Sequence, residues 1–224
     1  EQMCFKLPDS LSHDLGAAIP LAGGTAMYGL RYCGQLAAGE TLVVLGAAGG
    51  TGNYAVQIGK ALGARVIAVC SSVEKVRSVL EAGADVAINY REEDLGERLK
   101  ELTDNRGVDV VYDPVGGDLF DICSRRMAMG GRLLIVGFAS GRIPDLGVNM
   151  PLIKSYSVVG TNWSLTAWNR PVISMLVMEE LFTLSERGLV RPTIDKIFPL
   201  DQAKMALSRL ESREAIGKTL VQVG

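Results

Sequence analysis

Short apolar runs alternating with helical segments predict a doubly wound α/β fold, a parallel sheet of six strands covered by helices on both faces. The runs are nearly continuous in Val, Ile and Leu instead of alternating with polar residues, as strands buried on both faces are. The segments between them repeat apolar residues every third or fourth position, the period of a helix. A glycine-rich stretch, Gly46-Ala-Ala-Gly-Gly-Thr-Gly52, directly follows the first strong run.

The elements follow in order. Ser12 precedes a helical pattern of Leu15, Ala18 and Ile19, continuing as Ala22, Ala26 and Leu30, and Pro20 is expected to break it into two pieces. Thr41–Gly46 is the first strand, and Tyr54, Ile58, Ala61 and Leu62 mark a helix that ends at Gly63. Arg65–Cys70 is the second strand, Val73–Ala82 a helix closed by Gly83, and Val86–Asn89 a short third strand. Glu92–Thr103 reads as an amphipathic helix, with Leu95, Leu99 and Leu102 inward and Asp94 and Arg98 paired outside. Val108–Tyr112 is the fourth strand, Leu119–Met129 a helix, Arg132–Gly137 the fifth strand and Ser157–Gly160 the sixth. Beyond it lie a long helix at Val172–Arg187, a strand at Lys196–Leu200, a helix at Asp201–Leu210 and a last strand at Lys218–Val223. These pieces cannot all join the parallel sheet and read as part of a second layer.

Composition narrows the function classes. The 224 residues can bury a sizeable core, and 48% hydrophobic with 21% charged residues is ordinary for a soluble globular chain. Lys and Arg number 23 against 25 Asp and Glu, a net charge of -2 that gives no basic footprint for nucleic acid or an anionic membrane. The 26 glycines exceed the usual share of about 7% and point to tight turns or close backbone approach to a ligand. Cys4, Cys33, Cys70 and Cys123 are scattered, and His13 is the only histidine, so no zinc site is expected. So few cysteines do not make a disulfide scaffold, and a reducing, cytoplasmic location is expected. The uncharged run Thr41–Gly59 carries five glycines with Asn53 and Gln57, and reads as strand, turn and helix rather than a membrane span. No basic start with an apolar stretch marks a signal peptide, and the opening on Glu1 in place of Met fits a chain that starts inside a longer protein.

The glycine stretch carries the chemistry. A pyrophosphate needs bare backbone N–H groups at a helix N-terminus, and Gly49, Gly50 and Gly52 leave room for that approach, although Ala47 stands where G-x-G-x-x-G has its first glycine. In its strand–turn–helix–strand setting the motif predicts dinucleotide binding. An NAD site usually has an acid at the tip of the second strand, and here stand Ser71 and Ser72, with Lys75 beyond. Hydroxyls and a cation suit a 2′-phosphate. The same residues also read as a capping box, Ser71-x-x-Glu74, with Lys75 solvated. Tyr90, at the tip of the third strand, is either a neighbour of the adenosine or a surface aromatic.

Together with Ser71-Ser-Val-Glu-Lys75, Gly83-Ala-Asp85, Ile88-Asn-Tyr-Arg91, Asp113-Pro-Val-Gly116, Gly130-Gly-Arg132, Gly137-Phe-Ala-Ser-Gly141 and Gly217-Lys218, the glycine turn resembles the zinc-free quinone oxidoreductase branch of the medium-chain dehydrogenase/reductase superfamily. The likeness runs from about Leu15 to the C-terminus. It implies a Rossmann domain over residues 24–163, with 1–23 and 164–224 as remnants of a barrel-like catalytic domain. It further implies NADPH, with Ala48, Gly49, Gly50, Thr51 and Gly52 on the pyrophosphate and Ser71, Ser72, Lys75 and Tyr90 around the 2′-phosphate. Thr25, Val115, Gly137, Phe138, Asn162 and Trp163 are implied near the nicotinamide, with Lys218 reaching the cofactor from the C-terminal segment. By residue type alone Phe138 and Trp163 read as core or interface. No catalytic side chain carries over, because the region that supplies one in the family precedes the matching part.

Other enzyme classes fail on the residues. A short-chain dehydrogenase needs Tyr-x-x-x-Lys, and none of Tyr28, Tyr32, Tyr54, Tyr90, Tyr112 or Tyr156 has Lys four positions on. A phosphate loop of the Walker type needs Lys after its glycines, and Asn53 follows Gly52. The expected activity is hydride transfer from NADPH to a quinone or another conjugated carbonyl, a small-molecule electron acceptor. The alternatives are reduction of an enal, enone or enoyl-thioester double bond, or a non-catalytic NADPH-binding fragment. The apolar sixth strand is expected at the sheet edge, pairing with a second copy in a homodimer.

Overall fold

Five consecutive buried residues, Thr41–Leu45, form the central strand β1 of the computed structural model, which describes residues 4–223. The expectations for Glu1, Gln2, Met3 and Gly224 lie outside the described residues. Beside β1 run β2 (Arg65–Cys70), β3 (Val86–Asn89), β4 (Val108–Asp113), β5 (Met127–Ile135) and β6 (Ser157–Gly160), in the order β3-β2-β1-β4-β5-β6. Every pairing is parallel, with Val43 opposite both Ile67 and Val111. Successive side chains point to opposite faces, which is why β1 needs no polar residue in its run. Leu42 and Val44 enter one core with Tyr54 and Ile58, while Val43 and Leu45 enter the other with Leu99 and Phe120. Those partners come from α2 (Gly50–Ala61), α4 (Leu95–Leu102) and α5 (Gly117–Ser124), and α3 (Val73–Glu81) also packs on the first core. The order reverses between β1 and β4, so a crevice opens beyond the C-terminal ends of those strands.

Pro20 does not break the first helix. α1 runs unbroken from His13 to Met27, capped by Ser12, whose Oγ accepts from the Leu15 N–H at 3.4 Å, and the chain continues as a π-helical turn, Tyr28–Cys33. An interior proline costs about 3 kcal/mol. Ala18, Ile19, Ala22, Ala26 and Met27 are all buried by the helix, and at roughly 1.5–3 kcal/mol for each large side chain that burial outweighs the penalty. The boundary expected at residue 24 thus falls inside α1.

Two helices are shorter than their apolar spacing predicts. The helix expected over 119–129 ends at Ser124, because Met127 already pairs with Val108 as the start of β5. Gly130, at φ 72°, and Gly131 make the irregularity that lengthens the strand, and a Cβ on Gly131 would come within 3.0 Å of the Val108 and Asp109 carbonyls. α4 starts at Leu95, not Glu92, because the Asp94 carboxylate accepts the Glu97 N–H at 3.0 Å as its cap. Arg98 therefore pairs with Glu93 and Glu101 and not with Asp94.

The C-terminal part forms its own layer. α6 (Asn149–Lys154) and α7 (Trp163–Asn169) were not legible from periodicity, since each is under two turns. α8 (Pro171–Glu186) starts on its proline, where the missing N–H is harmless. β7 (Ile194–Pro199) and β8 (Lys218–Gln222) pair parallel in a separate two-stranded sheet bridged by α9 (Ala203–Glu211). Arg209 of α9 holds Asp195 of β7 through both carboxylate oxygens, at 2.5 and 2.9 Å. Among the described residues no helix is long and apolar enough to cross a membrane.

Candidate functional site

β1 delivers the chain into Gly46, whose φ of 58° suits glycine. The donors of the turn then sort themselves. Ala47 N–H bonds the Val69 carbonyl at 3.2 Å, Gly49 N–H bonds Gly46 at 2.9 Å, and Ala48 N–H bonds the Cys70 sulfur. Asn53 N–H is the first to bond back into α2, to Gly49 at 2.9 Å. The N–H groups of Gly50, Thr51 and Gly52 remain at the mouth of the helix, where the aligned dipoles present positive charge. A Cβ on Gly52 would stand 2.3 Å from the Gly46 oxygen, so a side chain there would dismantle the cradle.

The cradle forms the floor of a cleft of about 910 Å³ between the tips of β1, β2 and β4 and the segment Leu210–Gly217. The structure brings together there Ala48, Gly49, Gly50, Thr51, Gly52, Ser71, Ser72, Lys75, Tyr90 and Val115, of the residues marked in the sequence. Six others do not line it. Thr25 donates its hydroxyl to Leu21 within its own helix at 2.6 Å. Trp163 is buried against Gly24, where its large ring fills the space a Cβ would need, and its indole N–H bonds the Pro20 carbonyl at 3.1 Å. Asn162 is spent as the cap of α7, accepting from Leu165 at 2.9 Å. Gly137 closes on the Asp113 carbonyl at 3.3 Å, and Phe138 packs over Gly116. Lys218 stands at the rim, its Cδ 3.2 Å from where a Cβ on Gly50 would be.

Ser72, not Ser71, caps α3, with its Oγ 3.4 Å from the Lys75 N–H, so the expected capping box is out of register by one residue. The Ser71 hydroxyl is left on the cleft wall, 3.5 Å from the Lys75 ammonium. No carboxylate ends β2. Its last residue is Cys70, whose thiol is pushed up to about 11 by burial and stays neutral. The Asp113 carboxylate accepts Val115 and Gly116 N–H at 2.7 and 2.8 Å and fixes the tip of β4, while burial pushes its pKa above the ordinary range.

Arg213 is the site residue that sequence reasoning missed. At φ 59° its backbone turns so that its carbonyl accepts from Lys75 at 2.7 Å, while its guanidinium reaches the Ala139 carbonyl at 3.0 Å. The segment around it is thereby strapped across the cleft from the β2 side to the β5 side. Nothing local in the sequence joins it to a lysine 138 positions away.

Among the described residues no three His, Cys, Asp or Glu side chains come together as a metal site, so the donors present do not fit zinc. The family model described as zinc-binding dehydrogenase matches residues 50–177. A quinone oxidoreductase-like protein 2 homolog of Nematostella vectensis is 35% identical over 219 residues, 97% of this chain and 60% of that protein. A quinone oxidoreductase of Pseudomonas aeruginosa is 37% identical over 223 residues, 99% of this chain and 68% of that protein. The chain therefore spans roughly two thirds or less of the length of these relatives. The crystal structure of Escherichia coli quinone oxidoreductase complexed with NADPH superposes with a TM-score of 0.90 at 34% identity, covering 98% of this chain and 68% of that one. The chain belongs to the zinc-binding dehydrogenase family and, within it, to the quinone oxidoreductase branch of the medium-chain dehydrogenases/reductases.

Proposed function

We propose that this chain binds NADPH in the cleft above β1 and β4 and belongs to an enzyme that reduces a quinone or a similar conjugated carbonyl. The observation that supports the reading best is the pairing of an acid-free β2 tip, with Ser71, Ser72 and Lys75, and a helix mouth with free N–H groups. The first suits a 2′-phosphate and the second a pyrophosphate. Arg213 adds a second cation beside Lys75, and Tyr90 lines the same end. The cofactor supplies the hydride. The chain's own work is to hold the two phosphate groups and to direct the rest of the molecule along the β4 tip, past Val115. Residues 24–163 would carry most of that binding, with Leu210–Gly217 of the C-terminal segment closing the cleft over the 2′-phosphate end. The exposed β6 edge, with Leu152 and Ile153 exposed beside it, would pair with a second copy, and a cytoplasmic location suits the four free cysteines.

The test is a pair of NADPH and NADH titrations followed by steady-state turnover of a quinone and an enone. Tight NADPH binding with preferential quinone reduction supports the reading. Preferential enone reduction would replace the acceptor, and absence of NADPH binding would remove the proposal altogether.

A further inference from the structure

The first two turns of α2 contain a buried polar pair that the phosphate cradle does not use. Asn53 is 1% exposed and Gln57 8%, on a helix whose neighbouring positions pack apolar residues. Gln57 grips the backbone of Arg191 from both sides: its Oε1 accepts the Arg191 N–H at 2.7 Å and its Nε2 donates to the Arg191 carbonyl at 2.8 Å. Nε2 also donates to Asn53 Oδ1 at 2.8 Å, and the same oxygen accepts the Thr193 hydroxyl at 3.1 Å. The pull continues along the chain. The Thr193 carbonyl accepts Lys218 N–H at 2.8 Å, and Gly217 N–H bonds Ala48 in the glycine turn at 2.8 Å. Gly217 is confined to glycine, since it sits at φ 83° and a Cβ would collide with the Thr193 oxygen. The ring closes where the Lys218 side chain crosses Gly50, the first residue of α2.

A hydrophobic pair would fill this space at no desolvation cost, whereas the amides carry one, since the Asn53 Nδ2 is buried without a partner. What the amides supply is register: they fix residues 191–193, and so where Lys218 lands on the helix mouth. We infer that Asn53 and Gln57 are positioning residues that hold Lys218 over the phosphate cradle. The inference rests on the NADPH reading above. It assigns a role to side chains that point away from the cofactor and act through β8.

The experiment is a double-mutant cycle read by NADPH titration. Gln57→Met keeps the volume and removes the grip, and Lys218→Ala removes the cation. Gln57→Met is expected to weaken NADPH about tenfold in the unaltered background and less than twofold when Lys218 is already Ala. Binding of 2′-AMP, which reaches Lys75 and not the helix mouth, is expected to be unchanged. An equal NADPH loss in both backgrounds, no loss in either, or a parallel loss of 2′-AMP would overturn the inference and leave the cofactor reading intact. Failure of the unmutated chain to bind NADPH would overturn both. Should Gln57→Met not fold, Thr193→Val cuts the same ring at its half-buried link and is read on the same cycle.

Discussion

Lys75 and Gly52 show what single residues contribute. Lys75 directs its ammonium at the Arg213 carbonyl and the Ser71 hydroxyl, both on the wall where a 2′-phosphate would sit. Hydrogen bonds to charged groups are worth roughly 1.5–3 kcal/mol, so Lys75→Ala should weaken NADPH by about tenfold or more and leave NADH unchanged. Parallel losses for both cofactors in a fluorescence titration would contradict that role. Gly52→Ala should abolish binding of either, because the new methyl meets backbone that cannot yield. The place of these two residues on the cleft was legible in the sequence because its signals are local: glycines between a strand and a helix, and no acid at the end of β2. Trp163 and Asn162 lie outside this cleft for a converse reason. A large ring and a capping amide satisfy their own neighbourhoods first, and spacing cannot show which neighbour wins. Arg213 was illegible because its place on the cleft depends on a left-handed turn and a partner far away in the sequence.

Elements were predicted best where one force dominates. β2, β3 and β6 have the limits their sequences predict, since continuous β-branched runs leave few alternatives in a parallel sheet. Limits shifted where a side chain captured the chain end, as Asp94 does for α4, or where burial overrode a local breaker, as at Pro20. The β7–α9 layer gives a pH prediction. The Arg209 guanidinium beside Asp195 holds its carboxyl below the ordinary value of 3.8. A depressed carboxylate stabilises the fold fully above the unfolded value, and the contribution is lost as pH falls through the lower folded one. Asp195→Asn should therefore lower stability at pH 7 by about 1–3 kcal/mol, with the gap to the parent closing below pH ~3.8. A gap constant from pH 7 to pH 3 in thermal melts would show that packing, not charge, holds the layer. At the other end of the sheet, Thr161 donates to β5, so the Val158 N–H faces the open edge, and Val158→Pro should shift a dimer toward monomer in light scattering because proline removes that edge donor.

The whole molecule places the glycine turn and the cleft above it at the point where the strand order reverses, which is where the crevice of a doubly wound sheet must lie. That much follows from sequence pattern alone, because alternation of strand and helix fixes the topology and the topology fixes the crevice. The strap of residues 210–217 across it does not, since its path depends on contacts with Lys75, Ala139 and Ala48. With no cluster of metal donors among the described residues, cofactor affinity should be indifferent to chelators, and stoichiometric zinc in elemental analysis would contradict this. The central claim is that the cleft selects a dinucleotide by its 2′-phosphate. Parallel calorimetric titrations of the 224-residue chain with NADPH and NADH test it most directly. The account predicts one site per chain with NADPH bound at least about tenfold more tightly. Equal affinities, or a preference for NADH, would contradict it.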